Sequence, residues 1–467
     1  MPARNILLLF LGIALTAGTT CAATPQSGSI VHDSLMRSFL YYVPDNLPGG
    51  PAPLVFTLHG GGGNALKSME VNYEGKWNEA ADREGFIVIY PEGRPDPGDR
   101  DSHHWNDCRG DVTDTATLST EDDVGFISTL IDWADENFNI NLPRVYVSGA
   151  SNGGMMSHRL ARELDHRFAA AAGIIANQPV VNECVGPDSQ IPLLVMNGTA
   201  EDSIMPYEGG CITACSNGRG TVLSTQDTLD FWIGKNHANS SPVIESLPDV
   251  VTTDHSDIDV LTFAATKNGE DVVFYRVNGG GHTIPGPTQL GTIERLVLGW
   301  KNQDIVAADE IWAFFVANEK APFVMNAGLN DAWYNRVTDG QGFFITVFPE
   351  LGLVSLAWFT YDTELPAGDA SANLGDAGHR WLTALGPIDG NSAVMNIELT
   401  SGGLFDTATE IRHTDPVGSD GTITLTFDDC SSGLVEYDIS SIGQQGSVPI
   451  QRIANDNIAL CEALIEK

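Results

Sequence analysis

The sequence predicts an α/β protein with a mainly parallel sheet covered by helices, followed by a smaller antiparallel all-β domain. Three observations predict it. Strand-like and helix-like runs alternate over residues 29–321, short alternating runs take over after that point, and the chain has 467 residues. That length is too great for one ordinary core and indicates about two or three domains.

The first part of the chain supplies short apolar runs separated by longer runs with helical spacing. The runs PLVFTLHG, FIVIYPEG, RVYVSGAS, IPLLVMNGT and VVFYRVNGG predict strands. The run DDVGFISTLIDWADENF predicts a helix capped by Asp122 or Asp123, and Ser224 can cap a second helix. Strands that alternate with helices in this way predict a parallel sheet with both faces covered.

The chain changes character after the run EKAPF, so we place the α/β domain at residues 24–321 and a β-rich accessory domain at 322–467. From NDAWYN onward come the runs GQGFFITVFP, GLVSLAWFTYD, HRWLTALGP, SAVMNIELTS, GTITLTFDD, GLVEYDI and SVPIQRI. Their period-two alternation, broken by Gly, Asp, Asn and Ser, predicts an antiparallel meander or a small closed barrel.

Charge limits the possible partners. The chain has 24 basic and 61 acidic residues, for a formal net charge of -37. Nucleic acid and anionic membrane surfaces would repel such a protein, so neither is expected as a partner. The sequence does not indicate an oligomeric state.

Residues 1–23 have the pattern of a secretory signal peptide, with one early arginine, a short apolar run and then small residues. The apolar run is too short to span a bilayer comfortably. This predicts a secreted or periplasmic protein, with lipoprotein anchoring at Cys21 as the alternative.

Six cysteines follow Cys21, and an even number in an exported protein indicates disulfides. The absence of a C-x-x-C pair makes a zinc site unexpected, and no metal or other cofactor is predicted. The simplest pairing is Cys108–Cys184, Cys211–Cys215 and Cys430–Cys461.

The stretch VSGASNGG contains the pattern G-x-S-x-G around Ser151, between a predicted strand and a predicted helix. This is the sequence of a nucleophile elbow, a sharp turn that exposes a serine hydroxyl. A serine hydrolase also needs a base and an acid on later strand ends. His282 follows the strand VVFYRV, and Asp202 follows the strand IPLLVM, with Glu201 as its direct competitor.

The glycine-rich stretch LHGGGGN can provide the donors that stabilise an oxyanion. We assign one donor to the Gly61 N–H and the other to the N–H of Asn152, the residue after the nucleophile. His59 is expected to prop this loop rather than take part in chemistry. The adjacent His103 and His104 are expected to be exposed rather than metal ligands.

Six motifs in order, HGGGGN, HWNDCRG, DDVGFI, RVYVSGASNGGMMSHRLA, NGTAEDSIMPYEGG and GGGHTIPG, resemble the polyhydroxybutyrate depolymerase and feruloyl esterase family of secreted α/β-hydrolases. The resemblance covers residues 29–321. It implies a serine carboxylesterase with Ser151, Asp202 and His282 as its triad and no metal. The family's aspartate stands four residues before a proline, which favours Asp202 because of Pro206.

This sequence departs from the family pattern in three places. Asn197-Gly198-Thr199 stands where the family often has His-Gly-Thr, the chain has one extra residue before the aspartate, and Ile284 replaces a common tryptophan. The expected substrate is either hydroxycinnamoyl esters on plant or algal polysaccharide or aliphatic polyesters such as polyhydroxybutyrate. The alternatives are a serine peptidase with the same triad and a non-catalytic polysaccharide-binding or surface-binding protein.

The β-rich part carries aromatic residues that either form its core or bind a flat partner such as a sugar ring or a polymer surface. Period-two alternation makes core packing the commoner use. The residues concerned are Trp333, Tyr334, Phe343, Phe344, Trp358, Phe359 and Trp381.

Overall fold

A computed structural model describes residues 24–465 except 46, 48, 115–118, 185, 187–189, 216–217, 268, 321–322, 339, 369–377, 402–403, 405, 409–412, 415–418 and 428. The predicted signal peptide, Cys21 and the predicted boundary at residues 321 and 322 lie outside these residues. The predicted Cys211–Cys215 bridge also falls outside, because the Cys215 side chain is not described.

Ten strands of the described chain form one twisted mixed sheet, in the order β1-β2-β4-β3-β5-β6-β7-β10-β9-β8. The six strands from β4 to β10 in this order are parallel, and antiparallel strands flank them on both sides. The strands are β1 (Gln26–His32), β2 (Leu35–Tyr42), β3 (Ala52–Leu58), β4 (Ile87–Pro91), β5 (Ile140–Ala150), β6 (Ala170–Ile174), β7 (Leu193–Gly198), β8 (Val243–Ser246), β9 (Asp257–Phe263) and β10 (Val272–Asn278).

Helices cover both faces of this sheet, as predicted. Helices α2, α3 and α4 pack on one face and α1 and α6 on the other, so that two separate apolar cores form. The predicted caps are confirmed: the Asp122 side chain accepts from the Gly125 N–H, and Ser224 accepts from the Asp227 N–H. The helices are α1 (Lys76–Glu84), α2 (Asp123–Phe138), α3 (Asn152–Glu163), α4 (Thr225–Lys235), α5 (Thr292–Leu298), α6 (Ala307–Ala317) and α7 (Ile458–Ile465).

The β-rich part is a closed antiparallel barrel with its own apolar core, which confirms the barrel form of the prediction. Its strands are β11 (Asp331–Tyr334), β12 (Gly342–Phe348), β13 (Leu353–Tyr361), β14 (His379–Asp389), β15 (Ser392–Glu398), β16 (Gly421–Thr426), β17 (Ser432–Ile439) and β18 (Gln444–Arg452). Each overlaps one of the runs that predicted it, although β14, β17 and β18 extend beyond theirs. Helix α7 was not predicted, because its eight residues were too few to show a helical period.

Shorter elements connect these units. Two-stranded pairs join Arg94–Asp96 with Asp99–His104, Gly210–Cys211 with Thr221–Val222, and Thr400–Ser401 with His413–Thr414. Short helical turns span Ala65–Lys67, Ser68–Asn72, Ile212–Cys215, Ala327–Leu329 and Pro349–Leu351.

Two of the predicted disulfides are present. Cys108 and Cys184 have Cα atoms 5.6 Å apart and close a separation of 76 residues. Cys430 and Cys461 have Cα atoms 5.8 Å apart and tie α7 to the loop between β16 and β17. Bridges of this kind stabilise mainly by limiting the freedom of the unfolded chain.

The barrel lies at the end of the sheet where β5 begins. The Lys320 N–H donates to the Pro143 carbonyl, and a cavity of about 380 Å³ lies between the residues 140–143 and the barrel. Strand β5 runs for 11 residues from this end to Ala150. Its register with β3 is irregular, because Ile140 is opposite Ala52 and Gly149 is opposite Leu58. Six residues of β3 at about 3.3 Å each put these two pairs about 20 Å apart along the sheet.

Candidate active site

Ser151 occupies the turn between β5 and α3 and has the backbone geometry of a nucleophile elbow. Its φ is 57° and its ψ is -120°, a conformation that costs a non-glycine residue on the order of 1–3 kcal/mol. Two hydrogen bonds hold it: the Ser151 N–H donates to the Ile174 carbonyl at 2.9 Å, and the Ser151 carbonyl accepts from the Met155 N–H at 2.8 Å. The neighbouring strand and the helix therefore fix the turn from both sides.

Both glycines of the G-x-S-x-G pattern are required by close backbone packing. A Cβ at Gly149 would lie 2.3 Å from the Gly153 carbonyl oxygen, and a Cβ at Gly153 would lie 2.5 Å from the Leu58 carbonyl oxygen. No side chain is accommodated at such distances. The glycines thus allow α3 to approach β3 and β5 closely enough to form the elbow.

His282 lies in the loop after β10, as the sequence predicted, and its ring is largely buried. Its Nδ1 lies 3.0 Å from Oε2 of Glu201. Two backbone hydrogen bonds fix this loop. The His282 N–H donates to the Leu298 carbonyl at 2.6 Å, and the Gly281 N–H donates to the Trp300 carbonyl at 2.9 Å.

The carboxylate beside His282 belongs to Glu201 and not to Asp202, which the sequence favoured. Asp202 is exposed, whereas Glu201 is only 7% exposed. The motif spacing to Pro206 located the loop correctly but selected the adjacent residue. The loop after β7 buries the Glu201 side chain and exposes that of its neighbour Asp202, so a displacement of one residue exchanges the buried carboxylate for the exposed one.

Glu201 is held as a carboxylate by a dense set of donors. Its Oε1 accepts from the backbone N–H groups of Ser203, Ile204 and Met205 at 3.1, 2.7 and 3.2 Å. Burial alone would favour the protonated form, but the interaction with His282 and these backbone donors outweigh it and hold the Glu201 pKa below its usual value. The side chain is therefore an anion that can orient and stabilise a protonated imidazole.

The glycine-rich loop after β3 lies against the elbow. A Cβ at Gly60 would lie 3.5 Å from the Ser151 Cβ, and a Cβ at Gly61 would lie 3.4 Å from the Asn152 Cβ. The Gly62 N–H donates to His103 O and the Gly63 N–H to Gly60 O, both at 3.0 Å. The loop's own hydrogen bonds thus use Gly62 and Gly63, while Gly61 faces Asn152.

His59 supports this loop from inside, as expected. Its Nε2 accepts from the Gly93 N–H at 3.0 Å, and its Nδ1 lies 2.8 Å from the Gly60 carbonyl oxygen. Complete burial lowers the His59 pKa to about 3, despite the favourable hydrogen bond to Gly60. The ring is therefore neutral at ordinary pH and acts as a fixed support.

The HWND motif fixes the position of Asn152, which the sequence did not reveal. The Asn152 side chain accepts from the Trp105 N–H at 2.8 Å and donates to Asp107 Oδ2 at 2.6 Å. Trp105 also reaches the glycine-rich loop, because its indole N–H donates to the His59 carbonyl at 2.9 Å. One segment therefore aligns the elbow with the loop opposite it.

His104 corrects a second expectation, since it is buried at 4% exposure rather than exposed. Its Nδ1 lies 2.6 Å from Asp96 Oδ1, and its ring lies 3.0 Å from the position that a Cβ on Gly61 would take. Burial lowers the His104 pKa despite the neighbouring Asp96. The sequence signal was the glycine itself, because a residue without Cβ is needed wherever a ring packs on the backbone.

Two groups of potential metal ligands occur among the described residues, Cys108 with Glu163 and Cys184, and His32 with Asp33 and Asp122. The first contains a disulfide, whose sulfurs are no longer thiolates. Neither group includes Ser151, Glu201 or His282. None of the helices among the described residues is long and apolar enough to cross a membrane.

An elbow serine, a later histidine paired with a carboxylate and a glycine-rich loop, all at the carboxyl ends of parallel strands, define the α/β-hydrolase class. The chain is 31% identical over 274 residues to "Putative esterase NocK" from Nocardia uniformis subsp. tsuyamanensis, covering 57% of this chain and 76% of that protein. The chain belongs to this esterase family, as the resemblance to polyhydroxybutyrate depolymerases and feruloyl esterases predicted. Its activity is that of a carboxylic ester hydrolase.

Two further relatives share the same part of the chain. "Feruloyl esterase B" from Neurospora crassa is 35% identical over 167 residues, which are 35% of this chain and 52% of that protein. "Acetylxylan esterase A" from Emericella nidulans is 33% identical over 135 residues, 28% of this chain and 40% of that protein. The chain thus spans about half or less of these two relatives. No family model matches it.

Proposed function

We propose that the protein is an exported serine carboxylesterase that removes ester-linked acyl groups from plant-type polysaccharide. The single observation that carries the mechanism is the strained Ser151 elbow in a chain where His282 is paired with a buried carboxylate. The names of the relatives, which include feruloyl and acetylxylan esterases, support the substrate class.

In this mechanism the Ser151 Oγ attacks the ester carbonyl carbon while the His282 Nε2 takes its proton. Glu201 accepts the hydrogen bond from the His282 Nδ1–H and stabilises the imidazolium, in place of Asp202. The tetrahedral oxyanion would receive the N–H groups of Gly61 and Asn152. The imidazolium returns its proton to the leaving alcohol, and a water activated by the same histidine then releases the acid and regenerates Ser151.

One departure from the family pattern limits which acyl groups the site can accept. Ile284, two residues after His282, is 8% exposed and packs in the apolar core that α6 covers. An aromatic acyl group therefore loses a ring to stack on at this position. We propose that the enzyme hydrolyses esters of small aliphatic acyl groups, such as acetyl, faster than feruloyl esters. We also propose that it hydrolyses them faster than polyhydroxybutyrate.

Export is supported by the two disulfides, since such bonds form and persist in oxidising compartments. Cleavage after residue 22 or 23 would remove Cys21 from the mature protein. N-terminal sequencing of protein recovered outside the cytoplasm tests this, and a lipid-modified Cys21 at the mature N-terminus would contradict it.

The function is tested with the mature protein on acetylated xylan, methyl ferulate, short p-nitrophenyl esters, polyhydroxybutyrate film and peptide anilides. We expect turnover of acetyl esters and a loss of at least about a thousandfold in kcat for Ser151→Ala. Ser241→Ala, which changes an exposed serine far along the chain from the elbow, should act as wild type. A fluorophosphonate should label Ser151.

Two results would contradict the proposal. Turnover of peptide anilides without ester turnover would make the protein a peptidase. Binding of xylan without any turnover, together with no fluorophosphonate label, would make it a non-catalytic binder.

A further inference from the structure

The outer surface of the barrel separates the aromatic residues of its strands into two sets. On β12, β13 and β14, the inward residues Phe343 and Trp358 are 3% and 8% exposed, whereas the outward residues Phe344, Phe359 and Trp381 are 58%, 47% and 61% exposed. Alternate residues of a strand face opposite sides, so this division follows from the period of the strand. The barrel core does not use the second set.

The outward rings form one continuous group because of the strand register. Phe359 lies directly opposite Trp381, and the Phe344 and Phe359 rings have centroids 5.5 Å apart. Tyr361, the next outward residue on β13, is opposite His379, again with ring centroids 5.5 Å apart. We call these five side chains the aromatic face.

The aromatic face lacks charge on a molecule with a formal net charge of -37. Along the outward rows of the three strands, no Asp, Glu, Lys or Arg occurs between Gly342 and Phe348, Leu353 and Tyr361, or His379 and Pro387. The outward residues there are Gly342, Phe344, Thr346, Phe348, Leu353, Ser355, Ala357, Phe359, Tyr361, His379, Trp381, Thr383, Leu385 and Pro387.

Among the described residues, charged side chains border this surface, and Asp389 continues the outward row of β14 two residues after Pro387. Arg380 pairs with Asp362 at 2.6 Å at the end of β14, and Glu398 lies one strand further on, opposite Thr383. Elsewhere on the barrel, Glu436 and Asp438 give the outward row of β17 its charge, whereas the outward rows of β16 and β18 are uncharged. The side formed by β12, β13 and β14 therefore differs from the rest in its exposed rings.

We propose that the aromatic face binds a neutral polysaccharide and holds the enzyme on the polymer that carries its ester substrate. This deepens the proposed function, on which its biological meaning rests. An uncharged surface on an acidic protein fits a neutral partner, because a polyanion would be repelled. Ring faces contact the C–H faces of sugars, and the hydroxyls of Thr346, Ser355 and Thr383 can exchange hydrogen bonds with sugar hydroxyls.

The position of the barrel agrees with a separate anchoring role. The barrel meets the sheet at the residues 140–143 where β5 begins, whereas Ser151 follows the last residue of β5. Binding at the aromatic face would therefore leave the site after β5 free to act on ester groups along the polymer.

The test measures adsorption of the full-length mature protein to insoluble xylan from which all ester groups have been removed. This probe separates the two proposals, because adsorption to it needs no ester turnover. We expect Trp381→Ala to weaken adsorption at least about tenfold, the scale seen when a central aromatic contact is removed. The control, Phe231→Ala, removes a ring that is 40% exposed on α4 and should adsorb as wild type.

Each variant is checked by its melting temperature and by kcat/KM on a small p-nitrophenyl ester, both of which Trp381→Ala should leave unchanged. Phe344→Ala serves as a second variant if Trp381→Ala fails to fold. Equal adsorption of wild type and both face variants overturns the proposal. Adsorption to polyhydroxybutyrate film but not to xylan, or a dimer that Trp381→Ala dissociates, also overturns it and assigns the face to a polyester or to a second copy. A Ser151→Ala variant that has lost esterase activity but adsorbs as well as wild type would support the proposed binding role, because adsorption would then not depend on catalysis.

Discussion

The sheet and the barrel expose their strands to solvent in opposite ways. In the parallel sheet, every residue of β3, β4, β6 and β7 is buried, because helices cover both faces. In the barrel, residues of β12 and β13 alternate between the core and the surface. A sheet covered on both faces can act only where its strands end, whereas a barrel can act through its outer face.

The positions of the functional groups follow this difference. Ser151 comes directly after β5, Glu201 soon after β7 and His282 soon after β10, so the catalytic groups lie on loops at strand ends. The aromatic face lies in the middle of strands instead. Which strand surfaces are covered therefore determines where each part of the molecule can carry function.

The largest expected effect concerns the loop after β7. Glu201→Gln removes the anion that faces His282, so we expect a loss of about a thousandfold in kcat, whereas Asp202→Asn should stay within about threefold of wild type. Steady-state kinetics on a p-nitrophenyl ester measure both variants. If Asp202→Asn loses more activity than Glu201→Gln, the acid is Asp202 and the loop differs from the structure.

The next largest effect is on the unfolding free energy, and it compares two neighbouring residues that lie on the inner and outer faces of the barrel. Trp358→Ala empties a core site where the ring packs against Phe343 and Tyr437, and should cost about 3 kcal/mol or more of unfolding free energy. Phe359→Ala, on the outer face, should cost less than about 1 kcal/mol. Denaturant unfolding measures both. Equal costs would mean that the alternation does not divide core from surface.

A third prediction concerns the packing at the elbow. Gly153→Ala places a Cβ 2.5 Å from backbone oxygens, so we expect a loss of about 2 kcal/mol or more of unfolding free energy together with reduced kcat. Gly234→Ala is the control, because nothing lies within 4 Å of its Cβ and alanine favours the helix α4 by up to about 1 kcal/mol. A neutral Gly153→Ala would show that α3 does not need to approach β3 so closely.

The smallest expected effect is on the pH dependence of the unfolding free energy. His158 on α3 is buried against Trp232, and burial lowers its pKa to about 3, with Arg162 adding to the shift. As the pH falls from about 6.5 towards 3, the unfolded chain binds a proton here that the folded chain does not. This histidine therefore costs stability at up to about 1.4 kcal/mol per pH unit in that range.

His158→Phe removes this titration and keeps a ring on Trp232. The unfolding free energy of the variant should fall less steeply than that of wild type between pH 6 and 4, as measured by denaturant unfolding at each pH. Parallel curves for the two proteins would mean that His158 is protonated in the folded state.

The sequence alone predicted the fold class of both parts, and it predicted that Ser151 and His282 follow strands of the sheet, which is where the structure has them. The elbow pattern is recognisable in the sequence because its two glycines and its serine lie within five residues, although the contacts that require Gly153 come from Leu58 and His59. The eight barrel strands were also predictable, since period-two alternation is a property of each strand by itself. By contrast, the edge strands β1, β8 and β9 were not predicted, because their exposed residues weaken the apolar signal. The buried strand β6 was also not predicted, because its run of small residues, Ala170–Ile174, gives a weak strand pattern.

The tertiary structure decided which carboxylate faces His282 and where His104 lies. Glu201 and Asp202 are adjacent acids with similar sequence surroundings, and only the backbone path after β7, together with the donors of residues 203–205, buries one and exposes the other. His104 is buried because the hairpin formed by Arg94–Asp96 and Asp99–His104 folds over Gly61, a contact between segments about 40 residues apart. A pattern along the chain records the period and the turn chemistry of each element, but the choice between neighbouring side chains depends on partners that only folding brings near.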